Sequence, residues 1–249
     1  MNILMTGCGS GFGAYVRERL LEQGHNVYGV GLEGPDMRMG FATHPHVLQA
    51  KAHDCVYLAA EKYGTLDVLI NNAGTTHCAF MPDHDMVEFE RVMSVNTYAV
   101  LAFTQAFIKH HMKSQWMGLR NYARIINTGS MCIRQALRSS VGYVASKAAL
   151  HAITCTTAKE AAGKYPLMAM TISPSSVENT TMVEYAKQQL IAQRGMTREQ
   201  AEAYSHSASP LGRAMTHDEV WKAYDYAVNH APMYASGSNL ELPGGTGQF

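Results

Sequence analysis

The chain has 249 residues, of which 20 are basic and 20 acidic, so its formal charge cancels at neutral pH. Neutralising nucleic-acid phosphates needs a clustered excess of lysine and arginine, and this balance therefore argues against nucleic acid as the main partner. Hydrophobic residues make up 47% of the chain, which excludes a disordered protein, and no apolar run reaches the roughly 18 residues that suggest a membrane span.

Short apolar runs alternate with helical patterns from the first residues onward. Strands are predicted at residues 3–5, 27–30, 46–51, 68–70, 124–127 and 168–172. Helices are predicted at residues 13–23 and 150–162, and Val100, Phe103 and Phe107 form a further helical stripe. Residues 33–46 contain two prolines and two glycines, so the helix expected between the second and third strands is short or absent.

This order of elements predicts the fold class. Strands that alternate with helices indicate βαβ units, and hence a parallel sheet with helices on both faces. Residues 1–249 are therefore predicted to form one α/β domain, a doubly wound Rossmann-type fold with a mostly parallel sheet of about seven strands. Residues 180–209 are polar and helical in pattern. Such an insertion after a late strand predicts a substrate lid over the site.

A glycine-rich segment joins the first predicted strand to the first helix. Gly7, Gly11 and Gly13 lack Cβ atoms, which lets backbone N–H groups approach a pyrophosphate at the positive end of the helix. Turn geometry alone also explains such a loop, but its place between strand and helix is what a dinucleotide-binding motif requires. The segment lacks a Gly-Lys-Ser/Thr ending, so it is not a nucleotide-hydrolysing P-loop.

Further along the chain, polar residues follow the predicted strands at regular intervals. Residues 71–74 (Asn-Asn-Ala-Gly) end one strand, where ligands of open α/β sheets bind, and Asn96 lies in the following helix. Ser130 follows the next strand. Tyr143 and Lys147 are four residues apart, which places both side chains on one face of a helix.

Taken together, these motifs resemble the classical short-chain dehydrogenases/reductases, and the resemblance extends from Met5 to Gly245. The matching segments are residues 6–13, 71–74, Asn96, Ser130 and 143–147, followed by residues 210–213 and 242–245. The resemblance implies an oxidoreductase that transfers a hydride between the nicotinamide of NAD(P) and a small carbonyl or secondary alcohol substrate. The cofactor contacts it implies are Gly7, Ser10, Gly11, Phe12, Gly13, Glu33, Asn72, Ala73, Gly74, Tyr143, Lys147, Pro174 and Val177.

Hydride transfer leaves one proton to be supplied or removed. Tyr143 is the predicted general acid/base, and we expect the nearby Lys147 ammonium to lower the pKa of its phenol. Ser130 is expected to hold the substrate oxygen, and the resemblance implies that Lys147 also binds the nicotinamide ribose. By the same resemblance, Asn96 holds a water that connects Lys147 to solvent. The dispersed histidines predict no metal site.

The adenosine half of the predicted cofactor site departs from the family pattern. Gly31 stands where NAD-preferring relatives carry Asp, and Leu32 where NADP-preferring ones often carry Arg. Glu33 would repel a 2′-phosphate, although Arg38 could do the reverse. NAD is therefore only slightly favoured over NADP. The strand predicted at residues 46–51 lacks the family's adenine-contacting Asp, and the interval before Asn71 is shorter than usual in the family, which predicts a trimmed adenine pocket.

Two other functions remain open, namely an epimerase or dehydratase acting on a nucleotide sugar and a non-catalytic dinucleotide-sensing protein. The first usually needs a larger substrate domain, and the second is disfavoured by the complete Asn/Ser/Tyr/Lys set. Family resemblance predicts a homotetramer or homodimer. Five scattered cysteines and an N-terminal segment without signal-peptide features predict a cytoplasmic protein with no membrane partner.

Overall fold

A computed structural model describes residues 1–116, 122–207 and 209–246 of the chain. The strands are β1 (Asn2–Thr6), β2 (Asn26–Gly31), β3 (Met37–Arg38), β4 (Val68–Asn71), β5 (Ala123–Thr128), β6 (Leu167–Pro174) and β7 (Asn239–Leu242). The helices are α1 (Gly11–Glu22), α2 (Pro45–Tyr63), α3 (Met86–Met93), α4 (Ala99–Trp116), α5 (Val141–Ala161), α6 (Thr181–Arg194), α7 (Arg198–Ser207) and α8 (His217–Asp225). A π-helical turn, Ser94–Tyr98, joins α3 to α4.

The described strands form one parallel sheet in the order β3-β2-β1-β4-β5-β6-β7, which confirms the predicted Rossmann-type fold. Side chains alternate across each strand. Ile3 and Met5 therefore pack on one face, beneath α1 and α8, whereas Leu4 packs on the other, beneath α2, α4 and α5. The strand order reverses between β1 and β4, and ligands of doubly wound folds bind at the carboxyl ends of the strands at such a point.

The strand predicted at residues 46–51 is wrong, because this segment lies in the first half of α2. Pro45 fits the first turn of a helix, where no backbone N–H is needed, and the His44 ring accepts a hydrogen bond from the His46 amide. Leu48, Ala52 and Cys55 recur at helical spacing and are fully buried, so packing favours the helix. The third strand is instead β3, with only two residues.

The expected lack of a helix between the second and third strands is confirmed. Residues 32–36 form a tight return in which the Gly34 amide donates to the Gly31 carbonyl and the Asp36 amide to the Gly29 carbonyl. This leaves β2 next to a two-residue edge strand. The side of the sheet that the sequence predicts to face adenosine is therefore shorter than the other side, where β4, β5 and β6 continue the sheet.

Residues 180–209, the predicted lid, include α6 and α7, although residue 208 lies outside the described part of the chain. The Tyr185 hydroxyl of α6 lies 3.4 Å from Nδ1 of His77, and the Gln193 amide donates to the Cys78 carbonyl. Helix α6 therefore rests on the loop that follows β4. No helix within the described residues is long and apolar enough to cross a membrane.

Candidate active site

The glycine-rich loop packs tightly against the carboxyl ends of β1 and β4. A Cβ on Gly13 would lie 2.2 Å from the Gly7 carbonyl oxygen and 2.4 Å from Nδ2 of Asn72, so only glycine fits there. Gly7 and Gly11 have φ angles of +64° and +54°, which glycine alone adopts without strain. A Cβ on Gly11 would meet nothing closer than Thr180 at 3.7 Å, so this residue borders open space.

The first turn of α1 faces that open space with its N–H groups uncapped. Ser10 occupies the N-cap position, but its side chain makes no capping hydrogen bond. The first N–H groups of a helix lack intrahelical partners and carry a partial positive charge. The glycines allow the backbone to approach closely, the space beside Gly11 is open, and the N–H groups of the first helical turn are uncapped. Together these features fit the pyrophosphate of a dinucleotide.

A cavity of about 1870 Å³ extends from this loop across the carboxyl ends of the strands. It is larger than the roughly 300–1,000 Å³ of ordinary small-molecule pockets, as a site for a dinucleotide and a substrate would need to be. All the predicted site residues except Asn96 line it: Gly7, Ser10, Gly11, Phe12, Gly13, Glu33, Asn72, Ala73, Gly74, Ser130, Tyr143, Lys147, Pro174 and Val177. The structure thus brings together residues that are up to 170 positions apart in sequence.

Helix α5 presents Tyr143 and Lys147 to the cavity from one face, as their spacing predicts. Lys147 is only 2% exposed, its Nζ donates to the Thr128 carbonyl at 2.7 Å, and the same Nζ lies 5.7 Å from the centre of the Tyr143 ring. Ser130 follows β5 and begins a short 3₁₀ turn, whose Cys132 amide donates to its hydroxyl. The phenol, the ammonium and the serine hydroxyl therefore meet at one edge of the sheet.

The protonation of this pair differs from the sequence-based expectation. Burial raises the pKa of the Tyr143 phenol well above its ordinary value, and the hydrogen bond with Ser130 only partly opposes this rise. Burial also lowers the pKa of Lys147 to about 8. Both shifts favour the neutral side chain, because removing a charge from water costs more than the neighbouring groups return. The expected lowering of the Tyr143 pKa by Lys147 is therefore wrong for the protein alone.

Asn96 lies in the π-helical turn between α3 and α4 and is completely buried. Its carbonyl oxygen accepts from the Thr75 amide at 2.8 Å, and its amide group donates to the Thr75 carbonyl and to Oγ of Ser146, both at 2.9 Å. Both amide protons are thus used within the protein. Isolated π-helical turns occur often at functional sites. Here the turn places Asn96 behind the cavity wall, where it ties α5 to the loop after β4.

Gly74 separates Asn96 from Lys147. A Cβ at Gly74 would lie 3.5 Å from Nζ of Lys147 and 3.7 Å from Oδ1 of Asn96, which are ordinary van der Waals distances. The two polar atoms therefore border the same small space above Gly74. A water in that space would have both of them as neighbours, since a bound water needs two or more polar partners.

A buried polar network that sequence reasoning missed connects the glycine-rich loop to the lysine. Asn72 donates to the Gly7 carbonyl at 2.7 Å and accepts from the Thr128 hydroxyl at 3.3 Å. The Tyr224 hydroxyl of α8 is hydrogen-bonded to the Thr128 hydroxyl and lies within 3.5 Å of Oδ1 of Asn72. Thr128 is also the residue whose carbonyl accepts from Lys147. Tyr224 is 96 residues from its partner and lies in no recognisable motif.

One end of the cavity, which the sequence predicts to hold the adenosine of the cofactor and which is called the adenosine end below, is exposed. Leu32 lines it with 77% of its surface accessible, Glu33 is also exposed, and neither side chain has a hydrogen bond or ion pair in the described structure. A Cβ on Gly31 would contact Gly7 only at 3.5 Å, so this position has room for a side chain. Lys51 of α2 also lines this end, and sequence reasoning missed it because residues 46–51 were predicted as a strand.

The other half of the cavity, which the sequence predicts to hold the substrate and which is called the substrate half below, contains further residues that the sequence did not single out. Arg91, Arg138, Tyr185 and Arg194 all line it. Arg91 binds Glu88 at 2.8 Å and donates to the Thr75 hydroxyl at 2.8 Å, so it supports the loop after β4. These residues come from α3, α6 and the loop before α5, and only the folded chain brings them together.

Comparison with known proteins agrees with this geometry. The family model described as short chain dehydrogenase matches residues 1–191. A sorbitol-6-phosphate 2-dehydrogenase of Klebsiella pneumoniae is 26% identical over 259 aligned residues, covering 98% of this chain and 94% of that protein. The alignment therefore includes nearly all of both chains.

Solved structures show the same fold. The sorbitol-6-phosphate 2-dehydrogenase of Erwinia amylovora superposes with a TM-score of 0.85 at 20% identity, covering 99% of this chain and 100% of that one. A 3-ketoacyl-(acyl-carrier-protein) reductase of Brucella melitensis, solved in complex with NADH, superposes with a TM-score of 0.80 at 22% identity, covering 98% and 96% of the two chains.

Proposed function

This chain belongs to the short-chain dehydrogenase family, and we propose that Tyr143 is the general acid/base of its reaction. As a member of that family it is an NAD(P)-dependent oxidoreductase that interconverts carbonyl and alcohol groups. The observation that carries the proposal is the meeting of Tyr143, Lys147 and Ser130 at the cavity that also contains the glycine-rich loop. The nicotinamide of the bound dinucleotide supplies or accepts the hydride.

In the reducing direction, Tyr143 donates its proton to the substrate oxygen. Its raised pKa keeps the phenol protonated at neutral pH, so the proton is available when the substrate binds. Ser130 holds the same oxygen by a hydrogen bond. Lys147 lies beside the phenol ring and, with a pKa of about 8, releases and recovers a proton near neutral pH. Lys147 also binds the nicotinamide ribose, as the family resemblance implies.

We assign the path of the replacement proton to the space above Gly74. Lys147 and Asn96 both border this space, and a water held there would connect the ammonium group to the outside. Asn96 acts through its one remaining carbonyl lone pair and by fixing the backbone of Thr75. The residues proposed to contact the cofactor are those predicted from the sequence: Gly7, Ser10, Gly11, Phe12, Gly13, Glu33, Asn72, Ala73, Gly74, Tyr143, Lys147, Pro174 and Val177.

We favour NAD slightly over NADP, because Glu33 lies at the adenosine end and its carboxylate would repel a 2′-phosphate. Titrating the protein with NADH and with NADPH, and following the fluorescence of the reduced nicotinamide, tests this preference directly. Tighter binding of NADPH would overturn it.

The relatives suggest which substrates to try first. Their names include a sorbitol-6-phosphate 2-dehydrogenase and 3-oxoacyl-(acyl-carrier-protein) reductases, so polyols, polyol phosphates and 3-oxoacyl compounds are the starting panel. We further propose a single domain over residues 1–249, with α6 and α7 as its lid. A homotetramer or homodimer in the cytoplasm remains our expectation, and size-exclusion chromatography with light scattering measures the oligomeric state.

Replacing Tyr143 by Phe tests the catalytic assignment. Because only the hydroxyl is removed, we expect kcat to fall about a thousandfold while NADH binding changes less than about twofold. Tyr165→Phe removes a hydroxyl from a partly buried tyrosine outside the main cavity and is the matched control. The measurement is the absorbance of reduced nicotinamide across the substrate panel. A Tyr143→Phe variant with near wild-type turnover would refute the assignment.

A further inference from the structure

Positive charge collects around the substrate half of the cavity, although the chain as a whole is neutral. The cations that line this half, besides Lys147, are Arg91, Arg134, Arg138, Lys187 and Arg194, and the carboxylates are Glu88 and Glu241. Both carboxylates are already paired, Glu88 with Arg91 at 2.8 Å and Glu241 with Arg134 at 2.7 Å. Lys187 in turn lies 3.4 Å from Glu202. Two arginines are left over.

Arg138 and Arg194 have no carboxylate partner among the described residues. Arg138 lies on the loop before α5, five residues before Tyr143, and Arg194 is the last residue of α6. Nε of Arg194 is buried and makes no hydrogen bond within the described structure. Nε of three other arginines, Arg17, Arg19 and Arg124, is equally without a partner, but of the four only Arg194 lines the cavity, where a ligand can supply the acceptor.

Aromatic rings hold both guanidinium groups in place. Arg138 lies 5.7 Å and Arg194 lies 6.0 Å from the centre of the Phe80 ring, and Arg194 also lies 5.0 Å from the Tyr204 ring. Ring faces attract a cation without neutralising it, and they leave the edge N–H groups free for a bidentate acceptor. Two like charges held at one ring repel each other, and an anion between them would relieve this repulsion.

The backbone next to Arg138 is strained, and a hydrogen bond holds it against the loop that carries Phe80. Ser139 has a φ angle of +58°, a left-handed conformation that costs energy for a residue with a Cβ. Its carbonyl accepts from the Ala79 amide at 2.9 Å, which ties the loop of Arg138 to the loop that carries Phe80. Such strain persists where the surrounding structure enforces it, and it is concentrated at ligand-binding sites.

We propose that the substrate carries an oxyanion, either a phosphate monoester or a carboxylate, which binds between Arg138 and Arg194 at the mouth of the cavity. This inference rests on the proposed function, because it describes the substrate of the same site. Arginine pairs bind such groups through parallel, charge-assisted hydrogen bonds. Since Arg194 belongs to α6 and Arg138 to the loop before α5, the bound anion also ties the proposed lid to the segment that leads into Tyr143.

A purely structural role for these arginines makes a different prediction. A cation in the last turn of a helix is favoured by the helix dipole, and stacking on Phe80 and Tyr204 covers apolar surface. If that were their whole role, neither arginine would affect the binding of an anion. The distinction is therefore measurable.

The first experiment measures anion binding without turnover. Inorganic phosphate is titrated into the NADH-saturated protein by calorimetry at constant ionic strength, so that the pyrophosphate site is occupied and general screening is fixed. We expect Arg138→Gln and Arg194→Gln each to weaken phosphate binding at least about tenfold. Arg19→Gln, a surface arginine on α1 outside the cavity, is the matched control and should bind like wild type. No phosphate binding, or equal binding by all variants, would overturn the inference.

The second experiment compares substrates that differ only in the anion. Dihydroxyacetone phosphate is set against dihydroxyacetone, and acetoacetate against its ethyl ester, so that the two pairs distinguish a phosphate from a carboxylate. We expect kcat/KM to favour one charged member at least about tenfold, and we expect either arginine variant to remove most of that preference. If wild type and both variants used the neutral member of each pair as well as the charged one, the anion site would be refuted. The oxidoreductase assignment would remain intact. Phosphate binding that depends on both arginines, without turnover of any carbonyl or alcohol, would instead contradict the proposed function.

Discussion

The two ends of the cavity are built in opposite ways. At the end proposed to hold nicotinamide, called the nicotinamide end below, Asn72, Thr128 and Tyr224 are buried and hydrogen-bonded to one another, and the network reaches the glycine-rich loop on one side and Lys147 on the other. At the adenosine end, Leu32 and Glu33 are exposed on a short return between β2 and a two-residue strand. One end is fixed by many mutual contacts, and the other by few.

This difference shows where the chain tolerates change. Buried polar groups are costly when a partner is lost, so each member of the nicotinamide-end network constrains the others. Exposed side chains without partners carry no such penalty, and substitutions there usually change stability by less than about 0.5 kcal/mol. We therefore expect substitutions at the nicotinamide end to destabilise the protein. Substitutions at the adenosine end should change cofactor binding at little cost in stability.

Among the substitutions that compare the two ends, Gly13→Ala has the largest expected effect. The added Cβ would lie 2.2 Å from the Gly7 carbonyl oxygen and 2.4 Å from Nδ2 of Asn72, so α1 must move away from β1. Overpacking of this kind costs about 3 kcal/mol, and we expect dinucleotide binding to weaken about a hundredfold or more. Urea denaturation and NADH titration measure the two effects.

The control for Gly13→Ala is Gly40→Ala at the adenosine end. Its Cβ would meet only the Leu32 side chain, at 3.7 Å, so we expect a change below about 0.5 kcal/mol. Equal destabilisation by the two substitutions would contradict the contrast between the two ends.

A second prediction concerns the charge buried at the nicotinamide end. The pKa of Lys147 is about 8 in the folded protein against an ordinary value of 10.5, so between these pH values the unfolded chain binds more protons than the folded one. Stability therefore rises with pH through this window, and the penalty of burying the ammonium group is fully present below about pH 8. Lys147→Met removes the group, so wild type should gain about 2 kcal/mol relative to the variant between pH 7 and pH 10.

Denaturation of both proteins across this pH range provides the measurement. Lys164→Met, which removes an exposed lysine after α5, controls for the loss of one positive charge. A constant difference between wild type and Lys147→Met at every pH would show that the ammonium group is not destabilised by burial.

Much of the fold was predictable because local signals and packing agree. The strands at residues 3–5, 27–30, 68–70, 124–127 and 168–172 lie within β1, β2, β4, β5 and β6. Apolar runs flanked by turns specify buried strands, and the chain buries them. The failure at residues 46–51 has a specific cause. That prediction placed a strand where relatives have one, whereas Pro45 and the helical spacing of Leu48, Ala52 and Cys55 specify a helix.

The candidate site was predictable where a motif is continuous in sequence or where a polar residue follows a predicted strand, as Ser130 does. The glycine-rich loop, the Asn-Asn-Ala-Gly segment and the Tyr143–Lys147 pair could be located in this way. Tyr224, Arg138 and Arg194 could not, because they reach the site only through tertiary packing of α8, α6 and the loop before α5. The protonation of Tyr143 was also unpredictable, since the extent of its burial depends on the whole fold.

The smallest expected effect is that of Gly31→Asp, which changes the cofactor preference of the adenosine end. A Cβ at Gly31 meets Gly7 at no less than 3.5 Å, so the new side chain fits without strain. A carboxylate at the end of β2 bonds the adenosine ribose hydroxyls and repels a 2′-phosphate. We expect NAD binding to tighten about tenfold and NADP binding to weaken by a similar factor, at little cost in stability.

Gly31→Asn separates the two contributions in this last prediction, because an amide retains hydrogen bonding to the ribose but carries no charge. It should tighten NAD binding less than Asp does and leave NADP binding close to wild type. Fluorescence titration of both variants with NADH and NADPH gives the four dissociation constants. If Asp left the ratio of the two cofactors unchanged, the adenosine ribose would not lie at the end of β2. Substitutions at the exposed end of the cavity would then not change cofactor preference.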